Sequence, residues 1–420
     1  MAFGQLIDQR KLNKRNHVVG LFREHGPLSK ARVRQISGYS MDTLISIFKS
    51  LEDEAYLRPL RPSEADSRGV EAPASSARAK GRPAELYSLE DERELYLGLT
   101  FNQAGIYSVL VSFSGRVMDI RREDLPTLET QSAFEASFAS HLLAFLASNS
   151  ERIPRIRRVG LALPGQVDSE RGILRHYGLM PFLKDLDLGR LIRRHLAGAP
   201  LSCRHNVAGL ARYLLSDRSL TKESRRILYV SARAGAAHAL IQDGRLLLDE
   251  GEMGHLRICA SDERCECGRV GCLDTVFSAG QFHRLFPGMS WADVAAGLVR
   301  EGGEGRSELR LALEPGWRAF CEALLDLCAA FSPDLVLFSG ELFAMLPDPL
   351  SWIRGLVDTL IDSARPPAWF PREFRYTMTG SEAAAIGLCQ TLMEEDWAWQ
   401  PDRASGRIEA RDAAEPKTNF

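Results

Sequence analysis

Apolar residues in the first 60 positions recur at helical spacing in three successive segments. Val18, Leu21 and Phe22 share one face of a segment from Leu12 to His25, which Gly26-Pro27 stops. Val33 and Ile36 mark a short second helix opened by Leu28-Ser29. Ser29 is a fitting N-cap, because its hydroxyl can accept from a free backbone N–H. Leu44, Ile47, Phe48 and Leu51 predict a third helix from Met41 to about Asp53, capped by Ser40. Gly38-Tyr39-Ser40 is the turn before it, and Gly38 is free to take positive φ. From residue 95 the pattern changes. Strand-like runs appear at Tyr96–Thr100, Ile106–Phe113, Val159–Leu163, Ile227–Ser231, His238–Gln242 and Leu335–Phe338. Amphipathic stretches such as Ala133–Ser148 and Trp317–Phe331 lie between them. This alternation predicts an α/β body, long enough for two lobes.

Three short helices with a glycine turn before the third fit a helix-turn-helix, whose last helix enters the DNA major groove. The expected DNA-facing residues are Ser29, Lys30, Arg32, Arg34, Ser40, Met41, Thr43, Ser46 and Lys49. Hydroxyls there suit base edges or phosphates, and the cations suit phosphates. Leu57–Arg61 and Glu85–Leu89 would be wing strands, which makes the head a winged helix-turn-helix. The same pattern also suits a plain three-helix docking module with a solvated charged face. Pro, Gly, Ser and Ala dominate residues 62–84, a linker or overlong wing. Within it, Lys80-Gly81-Arg82-Pro83 is either a minor-groove hook or a flexible basic stretch.

Charge changes this picture only slightly. The formal net charge is −2, but residues 1–60 hold ten Lys and Arg against six Asp and Glu. A small basic head on a mildly acidic body is compatible with DNA binding. No apolar run approaches the roughly 18 residues of a membrane helix, and the start lacks a secretory pattern. A soluble, cytoplasmic protein with no membrane partner is expected.

The cysteines add chemistry. Cys203, Cys259, Cys321, Cys328 and Cys389 are scattered, whereas Cys265, Cys267 and Cys272 cluster near His255. One imidazole and three thiolates make a full tetrahedral set for Zn²⁺, leaving no open position, so the metal would be structural. Gly268 and Gly271 allow the tight path this needs. The alternative is a reduced, metal-free loop, with Cys259 as the nearby spare thiol.

Gly251-Glu252-Met253-Gly254-His255, followed by Cys265, Cys267, Cys272 and Asp274, resembles the signature of the ROK family of sugar kinases and repressors. Softer matches are Val159–Asp168 and Phe338-Ser339-Gly340. The resemblance implies an actin/hexokinase-like two-lobed body and a homodimer or tetramer. It also implies that Glu252, His255, Asp274 and Asn206 touch sugar hydroxyls, unless Glu252 and Asp274 merely brace the zinc loop. Departures from the family pattern bear on activity. Thr100–Gly105 lacks the acid and glycine pair that hold Mg-ATP, and Arg233 stands in the second phosphate loop. Val207 occupies the position of the catalytic Asp, and Leu179 that of a sugar-binding Asn.

The expectation is therefore a non-enzymatic repressor of carbohydrate-related genes that binds a double-stranded DNA operator and a sugar or sugar-derivative effector. A ROK sugar kinase with an N-terminal extension is one alternative. A DNA-binding scaffold governed by a protein partner is another. The expected division is a head at 1–61, linker or wing at 62–90 and a first lobe at 91–200. A second lobe with the zinc loop follows at 201–380. A helix at 381–398 returns to the first lobe, and a disordered tail fills 399–420.

Overall fold

The computed structural model describes residues 2–60, 85–221, 224–258, 261–300, 308–362 and 364–398. The linker at 62–84 with its Lys80–Pro83 motif, Cys259 and the tail at 399–420 lie outside the described residues. The chain separates into two compact units. The first comprises Met1–Glu94, Ser112–Arg116 and Met393–Phe420; the second comprises Leu95–Val111 and Val117–Leu392.

In the first unit, α1 (Ala2–His25), α2 (Lys30–Ser37) and α3 (Met41–Asp53) precede the strands β2 (Leu57–Pro59) and β3 (Leu86–Leu89). The first helix begins well before Leu12, since no proline interrupts the preceding residues. Leu28–Ser29 is itself a strand, β1, which pairs with β3 and gives a sheet of order β1-β3-β2. Ser29 still caps α2, accepting from Arg32 N at 3.2 Å. Val18, Phe22, Val33, Leu44, Phe48 and Leu51 form the buried centre, as their spacing predicts. Two further members come from far along the chain. Phe113 is fully buried in this core, and Trp397 packs against it. The rings of Tyr56, Phe113 and Trp397 lie 4.9 to 5.0 Å from one another. Arg15 and Arg23 lie over them, and Glu94 accepts from Tyr56 Oη at 2.7 Å.

The second unit holds two five-stranded sheets. The first contains β4 (Leu95–Asn102), β5 (Gly105–Ser112), β6 (Val117–Asp124), β7 (Ile156–Leu163) and β11 (Leu201–His205), in the order β11-β7-β4-β5-β6. Strands β11, β7 and β4 are mutually parallel. A small antiparallel sheet of β8 (Gln166–Asp168), β9 (Ile173–His176) and β10 (Lys184–Asp187) follows β7. The second large sheet contains β12 (Arg226–Ala232), β13 (Ala236–Gln242), β14 (Arg245–Gly251), β15 (Leu335–Ser339) and β16 (Glu373–Tyr376), in the order β14-β13-β12-β15-β16. Its core is aromatic, with Phe277, Phe282, Trp317 and Phe320 fully buried. The nearly unbroken apolar runs of β4, β7, β12 and β15 reflect burial on both faces.

Residues 383–392 are helical and press close to β4. A Cβ on Gly98 would lie 2.5 Å from Ala385 O, so only glycine permits this approach. The packing brings the C-terminal helix beside the strand whose end opens onto the cleft described next.

Candidate functional site

In the first unit, Gly38 takes the left-handed conformation (φ 70°) and donates to Arg34 O, ending α2. Ser40 then caps α3, accepting from Thr43 N at 3.3 Å. The buried stripe of α3 leaves Asp42, Ile45, Ser46 and Lys49 exposed. Arg32 and Arg34 are exposed on α2. Other members of the expected DNA-facing set have work inside the unit. Ser29 is buried, and Ser40 bonds Thr43 Oγ1 at 2.9 Å. Lys30 donates to Tyr87 Oη at 2.8 Å and lies over the Phe48 and Tyr87 rings. Met41 is partly exposed at the start of α3. Ile45, 51% exposed, was not among the expected contacts. Its signal was available, since it falls off the apolar stripe of an amphipathic helix.

In the second unit, His255, Cys265, Cys267 and Cys272 converge, their ligand atoms all within 4.8 Å of one another. His255 Nδ1 lies 3.6 Å from Cys265 Sγ, and Cys267 Sγ lies 3.6 Å from Cys272 Sγ. A tetrahedral ion with Zn–S of about 2.3 Å and Zn–N of about 2.0 Å would set the N···S separation near 3.5 Å and the S···S separation near 3.8 Å. Gly268 and Gly271, at φ 89° and 79°, supply the tight path. The residues fit such an ion and supply four protein ligands.

Beside this cluster is a cleft of about 650 Å³ at the C-terminal ends of β4, β7, β11 and β12. Strand ends of parallel sheets are the usual place for ligands in α/β folds. All four expected effector residues, Asn206, Glu252, His255 and Asp274, line it. Asn206 begins the helix Asn206–Leu215, which His205 caps by accepting from Val207 N. Glu252 opens to the cleft, with its carboxyl pKa raised by desolvation and by the charge of Glu250. Asp274 is pushed up to about 7, chiefly by desolvation, although Ala236 N donates to it at 3.2 Å. Gly254 and Gly235 crowd the Asp274 carboxylate, and neither site has room for a Cβ. Across the mouth, Glu266 meets His176 at 2.6 Å, tying the cysteine loop to the end of β9. Leu179 also lines the cleft.

The stretches where a kinase would hold nucleotide are differently built. In the turn after β4, Asn102 Oδ1 accepts from Ala104 N and Gly105 N at 2.9 and 3.0 Å. Those N–H groups are therefore occupied rather than aimed at a phosphate. Thr100 is buried and donates to Ala162 O. Val207 is fully buried, and its side chain has no proton to exchange.

Two buried histidines near the cleft give the unit an acid sensitivity. His205 and His238, 7% and 6% exposed, are both held down to a pKa of about 4 by burial. The free imidazole titrates near 6.5. Between about pH 6.5 and 4 the unfolded chain thus binds more protons than the folded one. The stabilising effect of neutral burial is complete above about pH 6.5 and shrinks as pH falls toward 4. Asp274 acts in the opposite direction, so a difference between variants isolates one histidine. Between pH 7.5 and 5, His238→Gln should lose about 2 kcal/mol less stability than the unaltered chain in urea unfolding. Equal losses would contradict this.

Comparison with known proteins agrees with the geometry. The ROK family model matches residues 109–394. The DNA-binding transcriptional repressor Mlc of Escherichia coli is 24% identical over 291 residues, 66% of this chain and 66% of Mlc. The match thus spans just under two thirds of Mlc. Kanosamine kinase of Amycolatopsis mediterranei is 26% identical over 234 residues, 54% of this chain and 76% of the kinase. The crystal structure of a ROK family transcriptional regulator, a homologue of E. coli Mlc, superposes with a TM-score of 0.68 at 19% identity. That superposition covers 92% of this chain and 97% of the regulator, and at such identity it is a likeness of fold. No helix among the described residues is long and apolar enough to cross a membrane. A mixed α/β chain with an N-terminal helical region, an actin/hexokinase-like body and a family match across residues 109–394 belongs to the ROK family.

Proposed function

We propose that this chain is a DNA-binding transcriptional regulator, a repressor of carbohydrate-related genes, whose ROK domain binds a sugar or sugar derivative without phosphorylating it. The observation that carries this reading is the head. α2, a left-handed turn at Gly38 and a Ser40-capped α3 are closed by a three-stranded sheet, an arrangement that supports reading the head as a winged helix-turn-helix. α3 is the recognition helix. Ile45, Ser46 and Lys49 face the major groove, with Met41 and Thr43 at its start. Arg32 and Arg34 lie on the phosphates, while Ser29, Lys30 and Ser40 hold the helices in place. The partner is a double-stranded operator, and a homodimer or tetramer presents two heads to a two-fold site. Such a regulator acts where the DNA is, in the cytoplasm.

Zinc at His255, Cys265, Cys267 and Cys272 is structural, because four protein ligands leave no position for a reacting group. It fixes the loop that carries Glu266 and leads to Asp274. Bound through Nδ1, His255 keeps its other ring nitrogen as a donor for a ligand hydroxyl. Glu252, Asp274 and Asn206 complete a set of acceptors and donors suited to adjacent hydroxyls.

The kinase similarity favours a second reading, a sugar kinase with a DNA-binding extension. Buried Val207 and the satisfied turn at Asn102 speak against it. Mixing the chain with ATP, Mg²⁺ and a panel of hexoses, pentoses and amino sugars should give no phosphorylated sugar. Val207→Asp should give none either, since the turn at Thr100–Gly105 would still hold no nucleotide. Phosphate transfer by either protein would defeat the non-enzyme reading.

A further inference from the structure

The cysteine cluster has a second chemistry besides holding an ion. Among the described cysteines, Cys267 alone is partly exposed and the others are buried. Its sulfur lies 3.6 Å from Cys272 Sγ. The Arg269 guanidinium donates toward both sulfurs and to His255 O. A partly exposed thiolate beside a guanidinium, with a second cysteine in reach, is the setting in which a cysteine is oxidised selectively. Gly268 and Gly271, both at positive φ, lie between the two cysteines. Closing the gap to the roughly 2 Å of a disulfide needs only a small movement of this short loop.

The loop is also tied to the cleft. Glu266, next to Cys267 in the chain, meets His176 at 2.6 Å across the mouth. On the other side, Cys272 leads to Leu273 and Asp274. Leu273 N donates to Leu256 O at 2.9 Å, next to His255 in the chain. Asp274 accepts from Ala236 N. Glu266, His255 and Asp274 all line the cleft. Taking two of the four ligands from the ion therefore frees the segment that places three cleft residues.

We propose that Cys267 and Cys272 form a peroxide-responsive switch, in which their oxidation to a disulfide expels zinc and loosens the wall of the cleft. This rests on the reading of the cluster as a zinc site. Cys267 Sγ attacks hydrogen peroxide: an S–O bond forms, the O–O bond breaks, and hydroxide takes a proton and leaves as water. Cys272 Sγ then attacks the Cys267 sulfur: the S–S bond forms, the S–O bond breaks, and a second hydroxide takes a proton and leaves as water. Two thiolates, one peroxide and two protons thus give one disulfide and two waters, with sulfur oxidised and peroxide reduced. The thiolate is the form that binds metal, so the ion departs. A thiol reductant together with zinc reverses the change.

The test treats the full, zinc-loaded chain with a small molar excess of hydrogen peroxide. A chromogenic chelator follows free zinc, peptide mapping finds disulfides, and hydrogen exchange reads the order of the loop. About one zinc per chain should be released. A Cys267–Cys272 bridge should form while the buried cysteines outside the cluster stay reduced, and exchange should rise across residues 255–274. Dithiothreitol with zinc should restore all three readings. Cys267→Asp keeps an oxygen ligand for the ion but cannot form the bridge, and its zinc release should be roughly 10-fold slower or more. Should that variant hold no zinc, mapping of the unaltered chain still decides. Zinc retained through oxidation would overturn the proposal, as would a bridge that leaves Cys267 and Cys272 unjoined, including one to Cys259. Unchanged exchange after zinc release would overturn the link to the cleft. A chain that carries no zinc before peroxide is added would overturn the metal reading and this proposal together.

Discussion

Cys267→Ser should strip the chain of zinc and lower its melting temperature by roughly 10 °C or more. The physical reason is that a closed four-ligand site binds the folded chain alone, so its binding free energy adds to folding. In small zinc domains that term reaches about 10–16 kcal/mol. Here the ion would join His255, in the segment after β14, to the Cys265–Cys272 loop, whose own bonds are mostly short-range turns such as Gly268 N to Cys265 O. Metal analysis of the purified chain should find about one zinc per chain, none in Cys267→Ser, and full occupancy in Cys259→Ser. A chelator should reproduce the loss of stability in the unaltered chain and change nothing in Cys267→Ser. A metal-free native chain, or equal melting temperatures, would contradict the account.

The second large effect is on DNA. Arg32→Glu combined with Arg34→Glu should weaken binding to every duplex by roughly 100-fold or more near physiological salt, because two phosphate contacts become repulsions. The slope of log affinity against log salt should become shallower by about two per head, or about four for a dimer on its two-fold site. Ser46→Ala and Lys49→Ala should instead change which sequences are preferred, as expected of residues on the exposed face of α3. Fluorescence anisotropy across a salt series measures both. An unchanged slope in the double variant would remove α2 from the interface.

The three N-terminal helices and the Cys/His cluster were legible because they are local. Caps at Ser29 and Ser40, the αL glycine at 38 and the stripe Leu44, Ile47, Phe48 and Leu51 are fixed by neighbours a few residues away. The same holds for the cysteine loop, where three ligands fall within eight positions, Cys265–Cys272. Contacts across long stretches of chain were not legible. Phe113 reads as the end of a strand and Trp397 as a helix terminus, yet both join the core around Tyr56. Strand β1 was hidden because its two residues carry no period and depend on pairing with Leu86 and Tyr87. The cleft divides the same way. Its acids follow from the Gly-Glu-Met-Gly-His motif. The Glu266–His176 link and the unpartnered Nε of Arg233 are products of tertiary packing.

The central claim is that this ROK chain reads DNA through α3. In vitro selection from a random duplex library tests it most directly, using the full chain and Ser46→Ala/Lys49→Ala in parallel at near-physiological salt. The account predicts enrichment of one two-fold symmetric sequence by the unaltered chain, and loss or change of that sequence in the double variant. Selection that enriches nothing, or enriches the same sequence with both proteins, would contradict it.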